Sequence, residues 1–165
     1  MPIHFVAGDL FANAHHAQAL AHGVNCKGSM GAGIAVGFRE RYPEMYEEYR
    51  RRCKAVPREL NPGDCFLWKA ADGKPWVFNL ATQEDYWRSR ATYDAVERAL
   101  SAMRTKAKAE GIRSIAMPRI GTGYGGLSWK KLRPIVERVF AGWPGDLYAY
   151  EEYIPAAPAM GDETP

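Results

Sequence analysis

Glycine is the residue whose placement suggests chemistry in this chain. Eight of the 16 glycines fall in two short stretches, Gly28, Gly31, Gly33 and Gly37, then Gly121, Gly123, Gly125 and Gly126. Glycine accepts positive φ and lets a ligand approach the main chain. Each stretch precedes a helical pattern, and free N–H groups at a helix N-terminus suit a phosphate. Two such loops facing each other would hold a diphosphate from both sides. Ordinary tight turns are the competing explanation. Neither stretch ends in the Gly-Lys-Ser/Thr of a Walker A loop, and neither has the acidic residue of a dinucleotide fingerprint.

The elements that must position these loops follow from apolar periodicity. Ile3 to Val6 reads as a strand ending at Gly8-Asp9, and Ala19 to Val24 as a second apolar run ending in Asn25-Cys26-Lys27-Gly28. The Gly-rich turn then enters a helical stretch broken by Pro43, after which Met45, Tyr46, Tyr49 and Cys53 recur at helical spacing. Cys65–Trp68 and Trp76–Leu80 read as strands joined by an Asp72-Gly73 turn. The nearly continuous apolar run WVFNL suits a strand covered on both faces. Val96, Leu100, Met103 and Ala107 mark a helix from Thr92, a candidate N-cap, to Gly111. Ser114–Met117 is a short strand closed by Pro118, and Leu147–Tyr150 a final one. Ser128 can cap the last helix, which Pro134 should delay or kink. Strands alternating with helices give an α/β class, with a mixed sheet and helices on both faces.

Composition narrows the function. The 165 residues are 47% hydrophobic and 25% charged, enough for one domain with a core, and no stretch reaches the ~20 apolar residues of a membrane helix. The start, MPIHFVAGD, lacks a basic n-region and does not read as a signal peptide. Three scattered cysteines argue against a disulfide framework and for a reducing cytoplasm. A net charge of +3 is too mild to imply nucleic-acid binding by itself. His15, His16 and His22 lack partners at metal-ligand spacing, so no metal is expected.

Four segments together resemble the macrodomain family: Phe5-Val6-Ala7-Gly8-Asp9-Leu10, Ala21-His22-Gly23-Val24-Asn25-Cys26, Met30-Gly31-Ala32-Gly33-Ile34-Ala35, and Met117-Pro118-Arg119-Ile120-Gly121-Thr122-Gly123. The subgroup most similar is that of the terminal ADP-ribose glycohydrolases and the antitoxins of DNA-ADP-ribosylating toxins. The resemblance implies a three-layer α/β/α macrodomain over residues 1–153, with a central mixed sheet and a cleft for ADP-ribose. Residues 154–165, Pro/Ala-rich, read as a disordered tail. By the same resemblance, Asp9 would accept the adenine amino group beside Leu10, and Tyr150 would stack on the base. Asn25 and Thr82 would border the distal ribose. Met30, Gly31, Ala32, Gly33 and Ile34 would wrap that ribose and one phosphate. Arg119, Ile120, Gly121, Thr122, Gly123, Tyr124, Gly125 and Gly126 would form the diphosphate loop.

Two departures bear on catalysis. Hydrolases of the subgroup carry a nucleophilic lysine just after the strand that ends here in Leu80-Ala81-Thr82, and this chain has Gln83. Some members carry an acid where Gly125 stands. A lysyl Schiff base is therefore unsupported. A water oriented by Asn25 or Gln83 would have to replace it. The expectation is a hydrolase of mono-ADP-ribosyl links on protein or nucleic acid, or of a free ADP-ribose derivative. It would act as a monomer without a cofactor, with a neighbouring ADP-ribosyltransferase as a candidate partner. The alternative is a non-catalytic reader of ADP-ribose. Further candidates remain two-sided. Asp85 and Glu84 are catalytic carboxylates or a solvated loop. Tyr86-Trp87-Arg88-Ser89-Arg90 stacks on a base or anchors a loop. The basic run Arg39–Arg58 is a salt-bridged helix face or, at Arg50-Arg51-Arg52, a phosphate contact.

Overall fold

The computed structural model describes residues 2–85, 90–123 and 125–155. In chain order it contains β1 (Ile3–Gly8), a 3₁₀ turn at Leu10–Ala12, β2 (Ala19–Asn25), α1 (Ile34–Arg41) and α2 (Pro43–Lys54). There follow β3 (Cys65–Trp68), β4 (Trp76–Gln83), α3 (Tyr93–Glu110), β5 (Ser114–Pro118), α4 (Trp129–Val139) and β6 (Asp146–Tyr153). The strands form one sheet in the order β1-β6-β5-β2-β4-β3. All neighbours are parallel except β3, which returns antiparallel to β4 through the Asp72-Gly73 turn, where both residues have positive φ. The sheet is thus mixed.

Parallel strands need both faces covered. One face carries Leu20, Val24, Val77, Ala81 and Ala116 against Phe38, Met45 and Tyr49 of α1 and α2. The other carries Ala19, Phe78, Leu80, Ile115 and Leu147 against Val96, Leu100 and Met103 of α3 and Leu132 and Val136 of α4. Successive residues of β4 go to opposite cores, which is why WVFNL reads as a continuous apolar run. The result is the expected three-layer α/β/α sandwich.

Local signals explain most boundaries. Pro43 opens α2, where a missing N–H costs no hydrogen bond. Thr92 Oγ1 accepts from Ala95 N at 3.0 Å, and Gly111 closes α3 in the left-handed conformation. The last helix is not delayed by its proline. It starts at Trp129, Ser128 occupies the N-cap position without a side-chain bond, and Pro134 lies inside the helix. Proline there forfeits a single intrahelical bond, while Leu132 and Val136 stay buried on α3, so packing outweighs the loss. The strands β4 and β6 run past the expected ends, to Gln83 and Tyr153.

Two buried polar side chains of the sheet are paired across strands, although His22 Nδ1 has no partner among the described residues. His22 and Asn79 face each other in register on β2 and β4, with His22 Nε2 2.7 Å from Asn79 Oδ1. Asn79 donates onward to the Phe66 carbonyl. The His22 ring stacks on Phe38 at 3.8 Å, and burial lowers its pKa to about 4. His22 is therefore a neutral core residue.

Candidate functional site

The carboxyl ends of β2, β4, β5 and β6 open into a cavity of about 470 Å³. Ligands in α/β sheets bind at this end, where the loops leave the strands. The two glycine loops form facing walls. Of the residues expected at a ligand, the structure brings Asn25, Gly31, Ala32, Gly33, Ile34, Thr82, Gln83, Arg119, Ile120, Gly121, Thr122, Gly123, Gly125 and Tyr150 to this cavity. Tyr124 lies outside the described residues, as does most of the Tyr86–Arg90 segment.

The walls are rich in unspent donors. Gly33 is the N-cap of α1 with φ +63°, ψ −151°, and no side chain caps the helix. Among the described residues, the N–H groups of Gly31, Ala32, Ile34 and Ala35 have no protein acceptor. The same holds for Gly121, Gly123 and Gly125 across the cavity. Arg119 is the charged residue of the described lining, and no carboxylate joins it. Backbone N–H groups converging with one guanidinium make an anion site.

Asn25 builds the first loop. Its Oδ1 accepts from Lys27 N at 3.0 Å, Ser29 N at 3.3 Å and Tyr49 OH at 3.0 Å, while Nδ2 donates to Ser29 O at 2.9 Å. The expected water-orienting amide is thus largely engaged in folding the loop that precedes α1. Gln83 differs. Its Nε2 is fixed on the Asp85 carbonyl, and among the described residues nothing donates to its Oε1. Held this way at the end of β4 and 9% exposed, it is part of the cavity lining.

Several expectations need correction. Leu10 and Met30 are buried in the α1/α2 core, so their side chains support the loops from beneath rather than line the cavity. Gly126 is turned into its own loop, its N–H bonded to Thr122 O and Gly123 O, and Arg90 packs over it. Asp9 is near the far end of the cavity but outside its lining. Its carboxylate accepts from Phe11 N at 2.9 Å and lies close enough to Tyr153 to raise that hydroxyl's pKa. Gly37 belongs to α1, where the Phe11 ring fills the space a side chain would need. The two carboxylates after β4 differ: Glu84, its side chain 39% exposed, pairs with Arg58 at 2.7 Å, whereas Asp85 is only 4% exposed.

Other lining residues escaped sequence reading. Gly23 leaves room where an added Cβ would stand 3.3 Å from Thr82 Oγ1. A glycine inside a strand is itself a signal of close approach. Tyr153 gave no signal, because strict alternation puts it opposite Tyr150. A register shift pairs Val6 with Tyr150 but Ala7 with Glu152 and Gly8 with Tyr153, so the bulge returns Tyr153 to the Tyr150 face. Burial, and then the Asp9 charge, hold both hydroxyls above the ordinary tyrosine pKa.

Among the described residues, no lysine or cysteine lines the cavity. Burial pushes the Cys26 and Cys65 thiols up to about 12 and raises Cys53 as well, so none is a thiolate near neutrality. Among the described residues, no group of His, Cys, Asp and Glu could hold a metal ion, and no helix is long and apolar enough to cross a membrane.

Comparison with known proteins agrees with this geometry. The chain is 33% identical over 129 residues to a DNA ADP-ribosyl glycohydrolase of Mycobacterium tuberculosis, covering 77% of this chain and 36% of that protein. It therefore spans little more than a third of that relative's length. It is 31% identical over 138 residues to the human ADP-ribose glycohydrolase OARD1, covering 84% of each chain. The solved structure of Thermosipho africanus DarTG in complex with ADP-ribose superposes with a TM-score of 0.81 at 26% identity, over 98% of this chain and 44% of that one. Residues 21–136 match the Macro domain model, and the chain belongs to the Macro domain family.

Proposed function

We propose that this macrodomain binds the ADP-ribosyl group of a modified macromolecule and hydrolyses its link to the acceptor. The carrying observation is the pair of facing loops, whose N–H groups lack protein acceptors and whose described walls hold one arginine and no carboxylate. That arrangement fits a diphosphate between Gly31–Ala35 and Gly121–Gly125. The adenosine end then lies toward Tyr150, Tyr153 and Asp9, and the distal ribose toward Asn25, Thr82 and Gln83. The names of the relatives support ADP-ribose as the ligand and DNA or protein as the carrier.

The reaction on this reading uses water. Water oxygen bonds to the anomeric carbon as the bond to the acceptor breaks. The acceptor leaves with the electron pair and takes up the proton that water releases. Gln83 Oε1 orients the water, and Asn25 serves as a positioning residue by holding the first loop. The diphosphate, fixed by backbone dipoles, stabilises positive charge on the ribose in the transition state. The domain acts as a monomer. Three free, buried cysteines fit a reducing compartment.

A second reading, a non-catalytic reader of ADP-ribose, is favoured by one observation. A Cβ on Gly125 would collide with the Gly121 carbonyl, so the loop as folded admits no acid there, and Gln83 stands where a lysine nucleophile would. One experiment separates them. ADP-ribose is titrated by calorimetry, and mono-ADP-ribosylated oligonucleotide and protein are then incubated with the domain. Release of ADP-ribose that falls at least 10-fold in Gln83→Ala supports hydrolysis. Tight binding without release makes the domain a reader, and absence of binding refutes both.

A further inference from the structure

The basic face of α2 divides into a paired and an unpaired half. Arg51 bridges Glu48 and Glu59, Arg52 pairs with Glu48, and Arg58 pairs with Glu84. Arg50 and Lys54, one turn apart on another side of the helix, have no ion pair among the described residues. Both pack along the turn at Gly28: a Cβ there would lie 3.2 Å from Arg50 Cγ and 3.5 Å from Lys54 Cε. Lys27, exposed and also without an ion pair, sits at the same turn. Tyr46, a turn before Arg50, donates to Gly28 O at 3.3 Å, and Arg39 lies over its ring at 5.6 Å. Along this stripe Glu47 lies three residues before Arg50.

Like charges a turn apart repel, so three cations with a single acidic neighbour on the stripe leave repulsion that a bound anion would relieve. The Gly28 turn lies between Asn25 and Ser29, both on the cavity wall. Lys27, Arg50 and Lys54 therefore flank the route by which an acceptor attached to the distal ribose would leave the cavity. We propose that these three residues, continued by Arg39, form a strip that docks the phosphate backbone of single-stranded nucleic acid whose modified nucleotide enters the cavity. Successive cations match a polymer with one charge per unit. A single strand suits the geometry because a base that carries the reacting bond must be out of the stack. The direction of the strand rests on the ADP-ribose reading of the cavity, whereas the strip itself does not.

The test measures fluorescence anisotropy of a labelled, unmodified thymidine oligonucleotide at several salt concentrations. Each phosphate contact to a single strand contributes roughly −0.7 to the slope of log K against log salt. The variant K27Q/R50Q/K54Q is expected to flatten the slope by about 2, so that the wild type loses about 20-fold more affinity than the variant between about 50 and 200 mM salt. A control, K106Q/K108Q/K131Q, removes three exposed charges on α3 and α4 and is expected to keep the wild-type slope. Equal slopes for wild type and K27Q/R50Q/K54Q, or equal flattening by the control, overturn the strip. Stronger binding of a polyglutamate peptide than of the oligonucleotide, lost in the same variant, overturns it in favour of an acidic protein. ADP-ribose titration of the same variant is expected to be unchanged. A wild type that fails to bind ADP-ribose refutes the cavity reading and leaves the salt slope to decide the strip.

Discussion

Replacing Asn25 by alanine separates a residue that folds the site from one that performs the reaction. The side chain makes four hydrogen bonds within the first loop and to Tyr49. Alanine removes all four, but their costs differ. The Lys27 N–H is exposed and can turn to water. Tyr49 keeps its 2.7 Å bond to the Asn25 main-chain carbonyl, which alanine preserves. The bonds to Ser29 N and Ser29 O are partly buried, and at about 1 kcal/mol each, with a smaller share from the others, the loss is about 2–3 kcal/mol. For a domain of this size that lowers Tm by roughly 4–12 °C. Because Gly31 to Ala35 follow this loop, ADP-ribose affinity should fall at least 10-fold in the same variant. Thermal unfolding and calorimetry on the purified variant check both effects. A variant with wild-type Tm and wild-type affinity that nonetheless releases no ADP-ribose would refute this reasoning, since Asn25 would then act on the reacting atoms directly.

Three other outcomes are expected. Gly123 has ordinary φ and nothing within 4 Å of an added Cβ, so Gly123→Val should change Tm little while blocking the diphosphate, with affinity down at least 10-fold by calorimetry. Unaltered titration counts against the second loop. In contrast, Gly125→Asp should lower Tm by several degrees and gain no hydrolysis, because its Cβ meets the Gly121 carbonyl. An active, equally stable variant would show that the loop adapts freely. Stability should also depend on His22: its folded pKa is about 4 against 6.5 for the free side chain. Between these values the unfolded chain binds more protons. The contribution is therefore complete above about pH 6.5 and lost as pH falls toward 4, with about 2 kcal/mol gone at pH 5. Urea midpoints at pH 7 and 5 measure this, and a slope no different in His22→Gln contradicts it.

Much of the fold was legible because its signals are local or periodic. Thr92 and Gly111 delimit α3, Asp72-Gly73 makes the β3–β4 turn, and the doubly apolar WVFNL marks a strand between two helical layers. The delay expected from Pro134 did not occur, because one lost bond weighs less than the apolar face that α4 buries. At the site, the two glycine clusters were readable as anion loops because glycine spacing reflects the backbone itself. Tyr153 was not readable, because a single extra residue in β6 reverses the face of everything after it. Leu10 and Met30 were misplaced because motif position fixes where the chain passes, not which way a side chain points.

The sequence by itself thus determined the element types, the mixed α/β architecture, the two phosphate-suited loops, and the absence of a lysine at position 83 and an acid at 125. These are properties of residue identity and near-neighbour spacing. Tertiary structure alone decided that the loops face each other across a cavity, that Asn25 spends its amide on the loop, and that Gln83 Oε1 has no donor among the described residues. It also decided that, among the described residues, Arg50 and Lys54 have no ion pair beside Gly28 while Arg51 and Arg52 find carboxylates. Each depends on which groups distant in the chain come within hydrogen-bonding or ion-pairing reach, and that distance is set by sheet order and helix packing rather than by sequence separation.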